Sequence, residues 1–290
     1  MKLTKNKYGF FEVEDKPSAE ELNSYYREKY YQNAEGSYEH SYSENELRYF
    51  HNKIEEKLLV ASRFIQLDSE SKVVDIGCGE GWVLDYLRTR NIDVVGLDFS
   101  SYGCAKFNPK CLESFVEGDI YVSIDRLKAT GKRFDLVWLD NVLEHVIDPL
   151  DLMRKCNSIM SEKGLLMVEV PNDFSVIQNY LLETGSIDKA YWVAFPDHLS
   201  YFNKEGLENL GAEAGLQAVF SMGDFPIDFN LINPNTNYYL DKSKGKSCYR
   251  AKVEFENLIH SVSVDKAINF YKSLIDLGIG RCLTTFFTKK

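Results

Sequence analysis

The sequence predicts an α/β fold: a seven-stranded, mostly parallel sheet with helices on both faces, preceded by an N-terminal helical extension. Three observations carry this. From Lys72 onward, short apolar runs alternate with helical segments, the pattern of strand–helix–strand units. The glycine-rich stretch "DIGCGEG" joins the first of these runs to a helix, and such corners bind nucleotides. The chain closes on "CLTTFFTKK", whose β-branched and aromatic residues suit a last strand.

Taken in order, the N-terminal part is rich in tyrosine. Eight of the 18 tyrosines precede Phe50. "PSAEELNSYYREKYY" reads as a helix with a Ser18–Glu21 capping box and an apolar side at Leu22, Tyr25, Tyr26 and Tyr30. "NAEGSYEHSYSEN", which contains His40, reads as a loop. An amphipathic helix is predicted from Glu44 to Gln66, because Leu47, Phe50, Ile54, Leu58, Ala61 and Ile65 recur at three- and four-residue steps.

Strands are predicted at Lys72–Ile76, Asp93–Asp98, Phe115–Glu117, Phe134–Leu139 and Leu165–Val170. Helices fit between them at Gly81–Arg90, Ser101–Phe107, Ser123–Thr130 and Pro149–Ser161, the last with Asp148 as cap and Gly164 just past its end. After "EVPND" the alternation breaks into an aromatic insertion at about 173–203. A helix at Lys204–Ala214, a sixth strand at Gln217–Met222 and a second insertion at about 224–280, with two helices, follow. The organisation expected is an extension over 1–45 and one domain over 46–290.

Composition narrows the function. The 34 basic and 44 acidic residues give a net charge of −10, which disfavours a nucleic-acid partner, since such binders present a basic surface. No apolar run is long enough for a membrane span, and the start has no apolar leader; a cytoplasmic protein is expected, monomer or homodimer. Six scattered cysteines without a Cys-x-x-Cys pair read as reduced thiols, and no metal is expected.

Within "DIGCGEG" the glycines Gly77, Gly79 and Gly81 have the spacing G-x-G-x-G, whereas the dinucleotide fingerprint is G-x-G-x-x-G. The carboxylate of Asp75, just before them, would repel a pyrophosphate and suits a cationic ligand. Asp98 ends the second strand, where an acid can accept from ribose hydroxyls, or can simply cap the turn before Ser100. Asp119 sits in "EGDI", which is also an ordinary turn sequence. "FDLVWLDNVLEHVIDP" and "GLLMVEVPN" complete the series.

These motifs, in this order, resemble the class I S-adenosylmethionine-dependent methyltransferases, and among them the ubiquinone-biosynthesis-type and sugar or small-molecule O-methyltransferases. The resemblance runs from Lys72 to Asn172, and more loosely through Leu216 and the last strand. It implies a Rossmann-like sheet and S-adenosylmethionine as cofactor, with S-adenosylhomocysteine as product. The cofactor residues it implies are Asp75, Gly77, Cys78, Gly79, Gly81, Trp82, Asp98, Phe99, Asp119, Ile120, Asp140, Asn141 and His145. Trp82 either packs the first helix or roofs the cofactor; Cys78 suits a small neutral filler. The acceptor is expected against Tyr25, Tyr26, Tyr30, Tyr31, Asn172, Trp192, His198 and Tyr201, with the N-terminal helix as a lid.

Methyl transfer to a hydroxyl needs alignment and a base. Of the five histidines, His145 follows the fourth strand and His198 lies in the aromatic insertion, which makes them the candidates. The acceptor class expected is a small molecule methylated on oxygen: a sugar, a nucleotide-linked sugar or a phosphorylated metabolite of glycan or secondary-metabolite biosynthesis. N- or C-methylation, a non-catalytic S-adenosylmethionine-binding module and, least in keeping with the glycine spacing, a nicotinamide oxidoreductase are the alternatives.

Overall fold

The structure, a computed structural model, describes residues 1–18, 20–22, 24–25 and 41–290. Tyr26, Tyr30, Tyr31 and His40 lie outside the described residues. The chain opens on a feature that the sequence reading lacked, a hairpin of β1 (Leu3–Lys5) and β2 (Phe11–Val13). Each strand is three residues long, too short to show an alternation. The Ser18–Glu21 capping box is formed: Ser18 N donates to Glu21 Oε2 at 2.8 Å and Glu21 N to Ser18 Oγ at 3.2 Å.

Helix α1 (Glu44–Ala61) starts at a second capping box, Ser43 with Glu46. It ends at Ala61 rather than Gln66. Ile65 and Leu67 pack against the core from the turn that follows, so the apolar spacing outlasts the helix. Its inner face is also less apolar than expected. Glu56 and Lys57 are buried with Ile54, Val60 and Ala61.

The main sheet then forms as read: β3 (Lys72–Ile76), β4 (Asp93–Asp98), β5 (Phe115–Glu117), β6 (Phe134–Asp140) and β7 (Met160–Pro171). Short β8 (Ser200–Tyr201) pairs with β2 in a separate three-stranded sheet. β9 (Leu216–Gly223) and β10 (Cys282–Lys289) complete the seven, in the order β5-β4-β3-β6-β7-β10-β9. β10 runs antiparallel to both its neighbours, while β3 to β7 pair in parallel. This is the Rossmann-like, mostly parallel sheet that was predicted.

Helices α2 (Trp82–Arg88), α3 (Tyr102–Phe107), α4 (Ile120–Ala129) and α5 (Pro149–Ile159) connect the parallel strands. α4 begins three residues before the predicted Ser123, because the Asp119 side chain caps it by accepting from Val122 N at 3.0 Å. Gly164 lies inside β7 rather than past a helix end. A Cβ there would sit 2.9 Å from Phe134 O, so the residue permits a close strand approach. Beyond β7 come α6 (Val176–Glu183), absent from the sequence reading, then α7 (Lys204–Glu213), α8 (Gly245–Val262) and α9 (Val264–Asp276).

Two cores fill the faces of the sheet, one around Ile76, Leu97, Leu139 and Phe287, the other around Leu84, Trp138, Phe286 and Tyr271. Burying each such side chain stabilises the fold by about 1.5–3 kcal/mol. A third core, with Val13, Ile177, Leu181, Trp192 and Tyr201, holds the aromatic insertion against the N-terminal hairpin. All six cysteines are free thiols, five of them buried. No described helix is long and apolar enough to cross a membrane.

The chain builds β3, β4 and β5 toward one edge, then returns to lay β6 on the other side of β3. The crevice at the carboxyl ends of β3 and β6 is therefore the point where strand order reverses, the place where open α/β sheets bind ligands.

Candidate active site

The glycine turn leaves β3 at this crevice. Gly77 N and Cys78 N both donate to Leu97 O, at 2.7 and 3.2 Å, and Gly79 N donates to Asp98 Oδ2 at 2.8 Å. Gly77 has φ +77°, and a Cβ on it would lie 2.2 Å from Val142 Cγ2, so only glycine fits. At Gly79, with φ +49°, a Cβ would meet nothing within 4 Å. Its backbone thus stands open to the crevice.

Asp75 is buried behind this turn. Burial, with the charges of Asp140 and Asp98, pushes its carboxyl well above the usual range, and Lys57 is the cation that opposes them. Asp98 is also raised by burial, although it accepts from Gly79 N and, at 3.1 Å, from Ser100 N. It therefore ties the two strand ends together. A corner with one buried and one half-buried acid, an open glycine backbone and little counter-charge fits a cationic ligand end better than a pyrophosphate. S-adenosylmethionine, with its ammonium and sulfonium, meets that requirement.

Cys78 is buried, and its thiol is pushed up by that burial; its sulfur would lie 2.6 Å from a Cβ on Gly96, the position of a filler. Trp82 Nε1 donates to Glu80 Oε2 at 2.6 Å, and Tyr42 Oη to Glu80 Oε1 at 2.8 Å. The rings of Tyr42, Phe50 and Phe107 lie 5.7–5.9 Å from that of Trp82. Trp82 thus belongs to an aromatic group that brings the N-terminal part onto the corner. Phe99 packs on the first core and Ile120 is buried in it. The carboxyl of Asp119 is engaged in its cap.

Across the crevice, Asp140 Oδ2 receives Lys57 Nζ at 2.6 Å, and the same ammonium lies 3.0 Å from Glu169. Burial pulls this lysine down, but the two carboxylates hold it above its ordinary range. Asn141, at φ +53°, donates through Nδ2 to Asp140 Oδ1 at 2.7 Å. His145 Nδ1 is 2.6 Å from Asp197 O. A carbonyl only accepts, so Nδ1 carries the proton and Nε2 is the basic nitrogen. The His145 and His198 rings lie 4.9 Å apart.

Tyr25 Oη donates to Asp197 Oδ1 at 2.9 Å, which brings Tyr25 to the same loop. A cavity of about 360 Å³ lies there, lined by residues that include Lys16, Leu22, Tyr25, Phe195 and Pro196. Tyr201 Oη donates to His198 O at 2.9 Å. Trp192 is buried, its ring edge-on to Phe174 at 5.5 Å. Asn172 points elsewhere: its Nδ2 donates to Gly280 O at 2.8 Å and clamps β7 to the residues before β10.

Glu144, His145 and His198 each offer a ligand atom within 4.8 Å of the others, a donor set with which a divalent cation is compatible. The sequence reading expected no metal. It also missed Lys57, Glu169, Asp173, Asp197 and Arg281. Lys57 had a visible signal, a lysine three residues after Ile54 and four before Ala61, on the buried stripe. The others are brought here by chain folding alone.

A methyltransferase-domain family model matches residues 46–220, more than half of the chain. The chain belongs to that family. It is an S-adenosylmethionine-dependent methyltransferase. Among curated relatives, it is similar to the ubiquinone biosynthesis O-methyltransferase of Colwellia psychrerythraea, with 27% identity over 57% of this chain and 68% of the relative. The enzyme of the same name from Cereibacter sphaeroides is 30% identical over 35% of this chain and 41% of that relative, so the match spans about two fifths of its length. A solved methyltransferase of Archaeoglobus fulgidus shares the fold, with TM-score 0.50 and 19% identity over 92% of this chain and 99% of that one.

Proposed function

We propose that this methyltransferase holds its cofactor across the glycine corner and transfers the methyl to a hydroxyl oxygen of a small polar acceptor, sugars included. Asp75 and the open backbone at Gly79 would hold the amino-acid end, and Asp98 the ribose. Asp119, Ile120 and Phe99 would border the adenine, while Asp140 and Asn141 face the methyl. When bound, S-adenosylmethionine supplies a methyl on a positively charged sulfur that departs as a neutral thioether.

The protein's own residues do the rest. Tyr25, Trp192 and Tyr201 surround the acceptor and exclude water, and His198 or His145 takes the hydroxyl proton as the oxygen bonds to the methyl carbon. The observation that carries this reading is the His145 geometry. Asp197 O fixes its Nδ1–H, so Nε2, 3.6 Å from Glu144 Oε1 and beside His198, is the nitrogen that would take the proton. Positioned bases of this kind contribute about 10²–10⁴-fold.

The test is the pH profile of methyl transfer for the first acceptor found in a hydroxyl panel, in wild type, His198→Ala and His145→Ala. One histidine variant should lose about 10²–10⁴-fold in kcat together with the acid limb of the profile, while S-adenosylhomocysteine affinity is kept. Full kcat in both variants would remove the base. Activity lost on chelation and restored by magnesium would replace it with a cation on Glu144, His145 and His198.

A further inference from the structure

Four buried side-chain atoms beyond the carboxyl ends of β6 and β7 make no hydrogen bond: Glu144 Oε2, Asp173 Oδ2, Trp192 Nε1 and Ser200 Oγ. Their residues are 1, 1, 3 and 0% exposed. They belong to one small region. Leu199 N and Ser200 N donate to Glu144 O, and Asp173 N donates to Phe202 O. Phe174, next to Asp173, carries Trp192 against its ring. Buried polar atoms are nearly always paired, so a group of orphans in a ligand crevice marks where a ligand supplies the missing partners.

The charge of that ligand follows from what surrounds the orphans. Asp140, Glu169, Asp197 and Asp228 add four carboxyls to Glu144 and Asp173. Among the described residues, the basic side chains that reach the region are Lys57, Arg281, His145 and His198. Lys57 lies between Asp140 and Glu169, and Arg281 pairs with Asp173 Oδ1 at 3.2 Å and lies 3.9 Å from Asp228. His145 Nδ1 is on Asp197 O, and its Nε2 is 3.6 Å from Glu144 Oε1. Six carboxyls against two permanently charged side chains, Lys57 and Arg281, disfavour a phosphate or carboxylate here. An ammonium would satisfy the acids in both hydrogen bonding and charge. It offers nothing to Trp192 Nε1–H, which needs an acceptor such as a hydroxyl oxygen.

We propose that the acceptor is an amino alcohol: a protonated amino group is received by Glu144 and Asp173, and a hydroxyl oxygen beside it accepts from Trp192. This rests on the methyl-transfer reading and narrows it, because it removes phosphorylated metabolites from the expected acceptors.

The experiment compares glucosamine, glucose and glucuronate, one ring in three charge states, at tens of millimolar on protein saturated with S-adenosylhomocysteine. Glucosamine should raise the melting temperature by about 2–4 °C and bind at least tenfold more tightly than glucose, and glucuronate should do neither. Glu144→Gln, which keeps the side-chain shape, should erase the preference. Trp192→Phe should weaken glucosamine and glucose alike while keeping it.

No effect of glucosamine, an equal effect of glucuronate, or a preference that survives Glu144→Gln overturns the proposal. So does a shift by magnesium or manganese alone that Glu144→Gln abolishes. Calorimetry of S-adenosylhomocysteine on the same samples separates the two readings. Its failure to bind sinks methyl transfer at this site, whereas charge-blind binding with it in place sinks only the amino-alcohol acceptor.

Discussion

The glycine corner and the acceptor face lie on opposite sides of one crevice, yet they are assembled differently. The corner closes through backbone groups and residues near in sequence, as in the bond from Gly79 N to Asp98, 19 residues on. The acceptor face closes through side chains far apart: Tyr25 to Asp197 across 172 residues, Asp173 to Arg281 across 108, His145 to Asp197 across 52. Short-range backbone geometry tolerates little change and suits a fixed cofactor. Long-range side-chain assembly can be altered one residue at a time and suits a varied acceptor.

The largest test of this contrast is at Lys57, which joins α1 to strand ends on the acceptor side. Lys57→Met strands Asp140 and Glu169 and should destabilise the protein by about 3–5 kcal/mol in urea denaturation. A loss below about 1 kcal/mol would mean that the buried pair does not hold the two sides together. Next is Gly77→Ala, where a Cβ meets Val142 at 2.2 Å on a φ of +77°. Left-handed strain of about 1–2 kcal/mol plus that clash should lower S-adenosylhomocysteine affinity at least about tenfold, with a smaller change in global stability than Lys57→Met. Unchanged affinity would show that the corner's shape does not set cofactor binding.

The smallest effect is the pH response of Asp173. Burial raises its carboxyl to about 6 despite Arg281, from a usual value of 3.8. Between about pH 4 and 6 the native state then binds more protons than the unfolded one, so stability falls as pH rises, by at most about 1.4 kcal/mol per unit. In Asp173→Asn this part of the slope should vanish. An unaltered slope would assign it to another acid of the face.

The same contrast explains what the sequence could tell. The strands from Lys72 to Val170 and the glycine turn follow from local patterns, and they stand within a residue or two of their predicted bounds except for β7, which starts earlier, at Met160. The N-terminal hairpin was illegible because its strands are three residues long and one depends on β8, nearly two hundred residues away. Asp119 shows the limit within the motifs themselves. Its place in "EGDI" was clear, but its capping bond to Val122 emerges only with the helix. Tyr25 was singled out for its ring, and its partner Asp197 could not be foreseen.

The most direct test of cofactor binding at the corner and chemistry across from it is calorimetry of S-adenosylhomocysteine on wild type, Asp98→Asn and His198→Ala. Wild type and His198→Ala should bind with the same Kd, and Asp98→Asn at least about tenfold more weakly. Equal binding by Asp98→Asn, or weakened binding by His198→Ala alone, would contradict the division of the crevice into these two sides.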